Sequence, residues 1–244
     1  MVTKNQIKLI LGLHQKKFRQ LHNLFIAEGE KVITELLISG LEVDQIYNTT
    51  NLFSDKYKYN TTLISDADLK KISALSDPNN CLAVFKIPVP KKIISSGLIV
   101  ALDNIRDPGN LGAILRLCDW FGIEQVVCSE QTVDLYNPKV VQATMGSISR
   151  VNVNYLDLKT FIETSKLPVY GTFMTGENLY QTRLKSAGIL VFGNEANGIS
   201  ESIEKLVQTK LSIPRFGKLQ RTESLNVATA TAVFLSEFKR FNEN

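Results

Sequence analysis

The stretch Leu102-Asp103-Asn104-Ile105-Arg106-Asp107-Pro108-Gly109-Asn110-Leu111-Gly112-Ala113-Ile114-Leu115-Arg116 joins an apolar run, Leu98 to Leu102, to a segment with helical period. Asp-Pro-Gly is turn chemistry that ends a strand and starts a helix. It sets Asn110 and Arg116 near a helix N-terminus, facing whatever lies beyond the strand. Outward from this turn, Leu111, Ile114, Leu115, Cys118 and Phe121 fall at helical spacing, and Gly122 stands where a C-terminal cap belongs. Gln125 to Cys128 then reads as the next strand. Further strands are expected at Arg150 to Val153, Val169 to Phe173, Ile189 to Phe192 and Lys210 to Ile213, and helices at Leu156 to Ser165 and Glu201 to Val207. A last helix from Asn226 to about Phe241 turns Val227, Ala230, Phe234, Phe238 and Phe241 to one side. This alternation predicts an α/β domain with a parallel sheet, in which ligands sit at the carboxyl ends of strands.

Residues 1 to 88 read as a separate small α/β unit. After an amphipathic opening come a helix from Glu30 to Ser39, strands at Val43 to Tyr47 and Thr61 to Ile64, a helix at Asp66 to Ile72 capped by Ser65, and a strand at Cys81 to Phe85. Pro88 and Pro90 interrupt any regular strand, so residues 89 to 96 are expected to be a linker and 97 to 244 the second domain.

Composition bounds the function. With 44% hydrophobic and 21% charged residues, the 244-residue chain belongs with soluble globular proteins, and its apolar runs are too short to cross a bilayer. The first 27 residues show no cleavage site after an apolar core, which points to a cytoplasmic address. Three cysteines without a CxxC pair read as reduced, buried thiols. His14 and His22 lie far from the motifs, so neither a histidine base nor a metal is expected. Net charge is +4, and Lys4, Lys8, Lys16, Lys17 and Arg19 all precede the first acidic residue, Glu28. Such an arm suits either RNA phosphates or plain solvation of a helix face.

Two later segments repeat the logic of the opening turn. Leu190-Val191-Phe192 runs into Gly193-Asn194-Glu195-Ala196-Asn197-Gly198-Ile199-Ser200, and Leu211-Ser212-Ile213-Pro214 leads through a basic loop with Lys218 and Arg221 to Ser224-Leu225-Asn226. Singly, Glu195 reads as a solvated turn residue and Ser224 or Asn226 as helix caps. Together they place three polar strand ends in one domain.

In order, spacing and flanking glycines, these three segments resemble the signature motifs of the SpoU/TrmH family of RNA 2′-O-methyltransferases, members of the SPOUT superfamily. Ala143-Thr144-Met145-Gly146-Ser147 adds to the likeness, and residues 16 to 38, with Lys17, Phe18, Arg19, Phe25, Glu28 and Gly29, resemble the start of the substrate-binding domain of the ribosomal-RNA branch. The resemblance implies a parallel-sheet SPOUT domain with a C-terminal trefoil knot, preceded by a small L30e-like domain. It also implies a homodimer, S-adenosylmethionine as cofactor, and methylation of a ribose 2′-hydroxyl in ribosomal RNA. Transfer RNA as substrate and a noncatalytic RNA-binding scaffold are the alternatives; a doubly wound nucleotide-binding protein lacks its GxGxxG or Walker signature.

Carried onto this sequence, the resemblance makes Asn110, Arg116, Glu195, Ser224 and Asn226 the catalytic set. Arg116 is the residue proposed in the family as base for the 2′-hydroxyl; orienting phosphate and steadying an alkoxide are chemically easier for a guanidinium. Thr172, Gly193, Ile213 and Leu225 are expected at the cofactor, largely through backbone groups. Lys16, Lys17, Arg19, Lys218 and Arg221 are expected on RNA phosphates.

Overall fold

The computed structural model describes residues 2–53, 59–217, 219 and 224–242, the side chains of the last two excepted. Among the described residues the elements are α1 (Lys4–Leu13), α2 (Lys16–His22), β1 (Leu24–Glu28), α3 (Glu30–Ile38), β2 (Val43–Asn48), β3 (Thr61–Leu63), α4 (Asp66–Ile72) and β4 (Cys81–Lys86). There follow β5 (Leu98–Leu102), α5 (Pro108–Trp120), β6 (Gln125–Cys128), α6 (Pro138–Thr144), β7 (Asn152–Tyr155), α7 (Leu158–Thr164), β8 (Val169–Asn178), β9 (Gly188–Phe192), α8 (Glu201–Glu204), β10 (Thr209–Ser212) and α9 (Val227–Asn242). None of these helices is long and apolar enough to cross a membrane. The chain divides into two compact units: Met1–Val89 with Asp134–Arg150, and Pro90–Val133 with Val151–Asn244.

The first unit is built on a four-stranded sheet ordered β1-β4-β2-β3, with β4 antiparallel to both neighbours and β2 parallel to β3. Thr3 and Gln6 close α1 with a capping box, and the Ser65 hydroxyl accepts from the Asp68 amide at 3.1 Å to start α4. Phe25 and Phe85 meet across β1 and β4 with ring centroids 5.6 Å apart, and Tyr136 lies 4.7 Å from Phe25. Residues 134–150 are therefore part of this unit's core. Their tight fit shows at Gly146, where an added Cβ would stand 2.6 Å from Cβ of Glu35. The amphipathic opening resolves into two helices and the edge strand β1. Its pairing partner lies more than fifty residues downstream, which local periodicity does not report.

In the second unit six parallel strands are ordered β10-β8-β9-β5-β6-β7. Central strands β9 and β6 are buried along their whole length, as near-continuous apolar runs in a parallel sheet should be. Asp107 caps α5 by accepting from the Asn110 amide at 2.7 Å, with Pro108 in the first turn. The expected inner face of α5 is buried at Leu111, Ile114, Leu115 and Cys118. On α9, Val227, Phe234 and Phe238 are buried and Ala230 half-buried; the Phe241 side chain lies outside the described residues.

Part of the segment read as a linker is tied to the second unit. Ile94 and Gln125 exchange two hydrogen bonds of 2.6 Å, and Lys91 and Asn152 exchange two of 3.0 Å. β8 also runs further than expected, to Asn178. From Lys210 to Leu211 on β10 the partner on β8 jumps from Gly171 to Glu177, so Thr172–Gly176 bulge out of the ladder.

Candidate active site

Three strand-end loops of the second unit meet beyond β5, β9 and β10. The first leaves β5 through buried Asp103, whose amide donates to the Phe192 carbonyl at 2.9 Å, and through Asn104 in the left-handed region at φ 60°. The second leaves β9 at Gly193 and closes on itself: the Asn194 and Gly198 backbones exchange hydrogen bonds of 2.9 and 2.8 Å. Gly193 has no alternative here, because a Cβ would stand 2.2 Å from the Gly198 carbonyl carbon. The third leaves β10 and ends at Asn226, whose Oδ1 accepts from the Ala228 and Thr229 amides at 3.0 and 3.3 Å and so caps α9.

Side chains then tie the loops together. Asn226 Nδ2 donates to Asn110 Oδ1 at 2.9 Å, and Asn110 Nδ2 donates to Glu195 Oε1 at 2.7 Å. The polarity of this relay is fixed at both ends. A carboxylate accepts only, so Asn110 must offer Glu195 its amine; Asn226 spends its oxygen on the helix, so it must offer Asn110 its amine as well. Asn110 is thereby held in one flip state by chemistry on either side.

The second loop is also pinned to the first. Asn194 Nδ2 donates to the Asn104 carbonyl at 2.8 Å, Asn194 Oδ1 accepts from the Ala196 amide at 2.9 Å, and the Ser200 amide donates to Asp103 Oδ2 at 2.8 Å. Asp103, Asn104 and Asn194 are thus supporting residues that motif reading passed over. Their signal lay in the sequence: a carboxylate directly after an apolar strand, and an asparagine wedged between glycine and Glu195.

Of the other expected site residues, Arg116 projects from α5 into solvent and forms no ion pair among the described residues. Ser224 is exposed and makes no hydrogen bond among them. The structure thus joins Asn110, Glu195 and Asn226, and leaves Arg116 and Ser224 outside the relay. Thr172, half-buried in β8, donates its hydroxyl to the Val191 carbonyl at 3.1 Å, clasping β8 to β9. Ile213 is half-buried, and Leu225 is 49% exposed. Lys218 and Arg221 lie outside the described residues.

In the first unit Lys16 and Lys17 are exposed on α2, but Arg19 departs from expectation. Its side chain is only 3% exposed; Nε donates to Asp134 Oδ2 at 2.9 Å, Nη2 reaches the same oxygen, and Nη1 donates to the Leu13 carbonyl at 2.8 Å. A guanidinium so engaged is a structural clamp and has no face left for a phosphate. The cysteines are buried and free as expected, and burial pushes the Cys118 and Cys128 thiols well above the ordinary range and Cys81 up to about 12.

Residues 97–236 match the SpoU rRNA Methylase family, and residues 4–83 match the MRM3-like substrate binding domain. The chain is 30% identical over 240 residues to the Bacillus subtilis 23S rRNA (guanosine(2553)-2′-O)-methyltransferase RlmP, covering 95% of each. It superposes with TM-score 0.89 on a Porphyromonas gingivalis protein described as an RNA methyltransferase of the TrmH family, at 35% identity and covering 98% of this chain and 99% of that one. An AdoMet-bound rRNA methyltransferase from Sinorhizobium meliloti gives TM-score 0.86 at 26% identity, with 99% and 97% covered.

Proposed function

Because this chain belongs to the SpoU rRNA methylase family, we propose that it transfers a methyl group from S-adenosylmethionine to a ribose 2′-hydroxyl of ribosomal RNA. The observation that carries the reading is the Asn226–Asn110–Glu195 relay. A scaffold that only bound RNA would need the glycines and the core, but not three polar side chains from three loops held in one orientation.

The residues suit the cofactor's chemistry. Half-open Ile213 and Leu225 offer aliphatic surface to a purine, and Gly193 lets the second loop close tightly on its own backbone. Thr172, Gly193, Ile213 and Leu225 are the residues that would hold it, mainly through backbone groups. When bound, S-adenosylmethionine supplies a methyl group already activated on a sulfonium.

What remains for the protein is to orient the acceptor and manage the proton at O2′. Arg116, exposed and unpaired among the described residues, engages the substrate phosphate and steadies the oxyanion as the proton leaves; its charge is too stable for a base. Glu195 is committed to Asn110 and, at 3.5 Å, to Asn194, and acts by holding the relay. Ser224, exposed two residues before Asn226, contacts the ribose. Lys16, Lys17, Lys218 and Arg221 take RNA phosphates.

The chain is further proposed to be a homodimer with the C-terminal trefoil knot of its fold. Support for the dimer is that the second unit leaves large apolar side chains exposed, among them Trp120 at 84%, Phe216 at 83%, Leu219 at 76% and Met174 at 57%. Reduced buried thiols accord with a cytoplasmic setting.

Alkali tests the chemistry. A 2′-O-methyl group removes the nucleophile that cleaves the adjacent phosphodiester, so methyl label transferred to ribosomal RNA must survive hydrolysis in alkali-resistant dinucleotides. Label found only in free nucleotides places the methyl on a base and refutes the proposal; label only on transfer RNA corrects the substrate.

A further inference from the structure

The outward face of α2 is the part of the first unit whose arrangement the phosphate reading leaves unexplained. Phe18 is half-buried with its ring laid against α1, close enough that a Cβ on Gly12 would be in ordinary contact with it, 3.5 Å from Phe18 Cγ. One helical turn later His22 lies parallel to that ring, with centroids 6.5 Å apart and planes 13° from each other. Lys17 Nζ stands 4.9 Å from the Phe18 centroid. Around this pair Lys16, Lys17, Gln20, Leu21 and His22 are exposed, Leu21 at 72%. No acidic residue occurs in residues 1–27, and Asp134, which does reach α2, is engaged with buried Arg19.

An exposed imidazole, nearly parallel to the neighbouring Phe18 ring and flanked by Lys16 and by Lys17, which itself stands over Phe18, has the chemistry of a surface for flat, electron-rich partners with attached negative charge. We propose that this face of α2 is a stacking platform for an unpaired RNA base, with His22 the ring that meets the base and Lys16 and Lys17 taking the flanking phosphates. Duplex RNA hides its base faces within the stack, whereas loops and single strands splay them out. Stacking on a ring is tolerant of base identity, and the lysines add a salt-dependent part. The inference rests on the RNA-substrate reading and adds to it a preference for unpaired nucleotides.

The test uses the full chain, with anisotropy titrations of a labelled oligouridylate of roughly twelve nucleotides and an RNA duplex of the same length, over a series of salt concentrations. His22→Ala is expected to melt as the parent does, because the side chain is exposed, and to bind the oligouridylate about 5- to 100-fold more weakly with an unchanged salt slope. Duplex binding should stay as it was, and His22→Phe should restore the single-strand affinity. Joint replacement of Lys16 and Lys17 by Ala should instead flatten the salt slope. Parental affinity in His22→Ala, equal losses on single strand and duplex, or failure of His22→Phe to rescue would each overturn the platform while leaving RNA binding in place. If the parent chain bound neither RNA, the platform would fall, while the substrate reading is decided separately by the alkali-resistant label.

Discussion

The three-loop site of the second unit and helix α2 of the first both carry polar residues that sequence marked as functional, yet the structure uses them differently. Asn110, Glu195 and Asn226 stay near the surface and bond to one another across separations of 85 and 116 residues. Arg19 is drawn inside by Asp134, 115 residues away. The separations are comparable, so distance along the chain does not explain the contrast. What differs is that each motif residue sits at a strand end, where a parallel sheet collects its loops, whereas Arg19 and Asp134 are paired by nothing that a periodic pattern encodes.

Five substitutions sharpen this contrast, beginning with the largest effect. Arg116→Ala should lower methyl transfer by about 100-fold or more, the scale of losing a charge-stabilising donor, while S-adenosylmethionine affinity measured by calorimetry is unchanged. Near-parental turnover would remove Arg116 from the chemistry. In the first unit Arg19→Ala should leave the methyl-transfer residues intact but lower stability to urea by about 3 kcal/mol, the low end for breaking a buried pair, since Asp134 keeps 20% exposure. A Tm within a degree of the parent would return Arg19 to the surface.

Asn110→Ala and Asn226→Ala test the relay itself. In a double-mutant cycle read by urea unfolding, their coupling should be about 1 kcal/mol, the ordinary net worth of one hydrogen bond. Zero coupling would dissolve the relay. The smallest effect concerns Glu28, whose carboxyl is buried, accepts from the Ser73 hydroxyl and the Ala74 amide at 2.7 Å, and is held above the ordinary carboxylate range chiefly by desolvation. With the folded value raised, its contribution is fully present below pH 4.5 and is lost as pH rises through the folded value. Glu28→Gln should remove that decline from the stability curve; an unchanged curve would show that Glu28 does not titrate with folding.

How much was legible follows from the same physics. Strands β5, β6 and β9 announce themselves as apolar runs between turn signals, and Asp107-Pro108 sets the start of α5. Strand β1 and helix α6 escaped reading, β1 because its identity comes from pairing with β4, and α6 although Asn137 and Pro138 mark its start. Within the site, the motif residues were visible through their turns and glycines. The supports Asp103 and Asn194 were not assigned, because their roles are to bond backbone groups of neighbouring loops, which exist only once the strands are side by side. Ser224 and Arg116 are exposed and lie outside the relay, so nothing in the fold joins them to it.

The most direct measurement maps 2′-O-methylation across ribosomal RNA from cells with and without this chain, with Asn110→Ala supplied in place of the parent as a third arm. A shared methyl-transfer site predicts one or more ribose methyl groups lost in its absence, restored by the parent and not by Asn110→Ala. A ribosomal map identical in all three arms contradicts it.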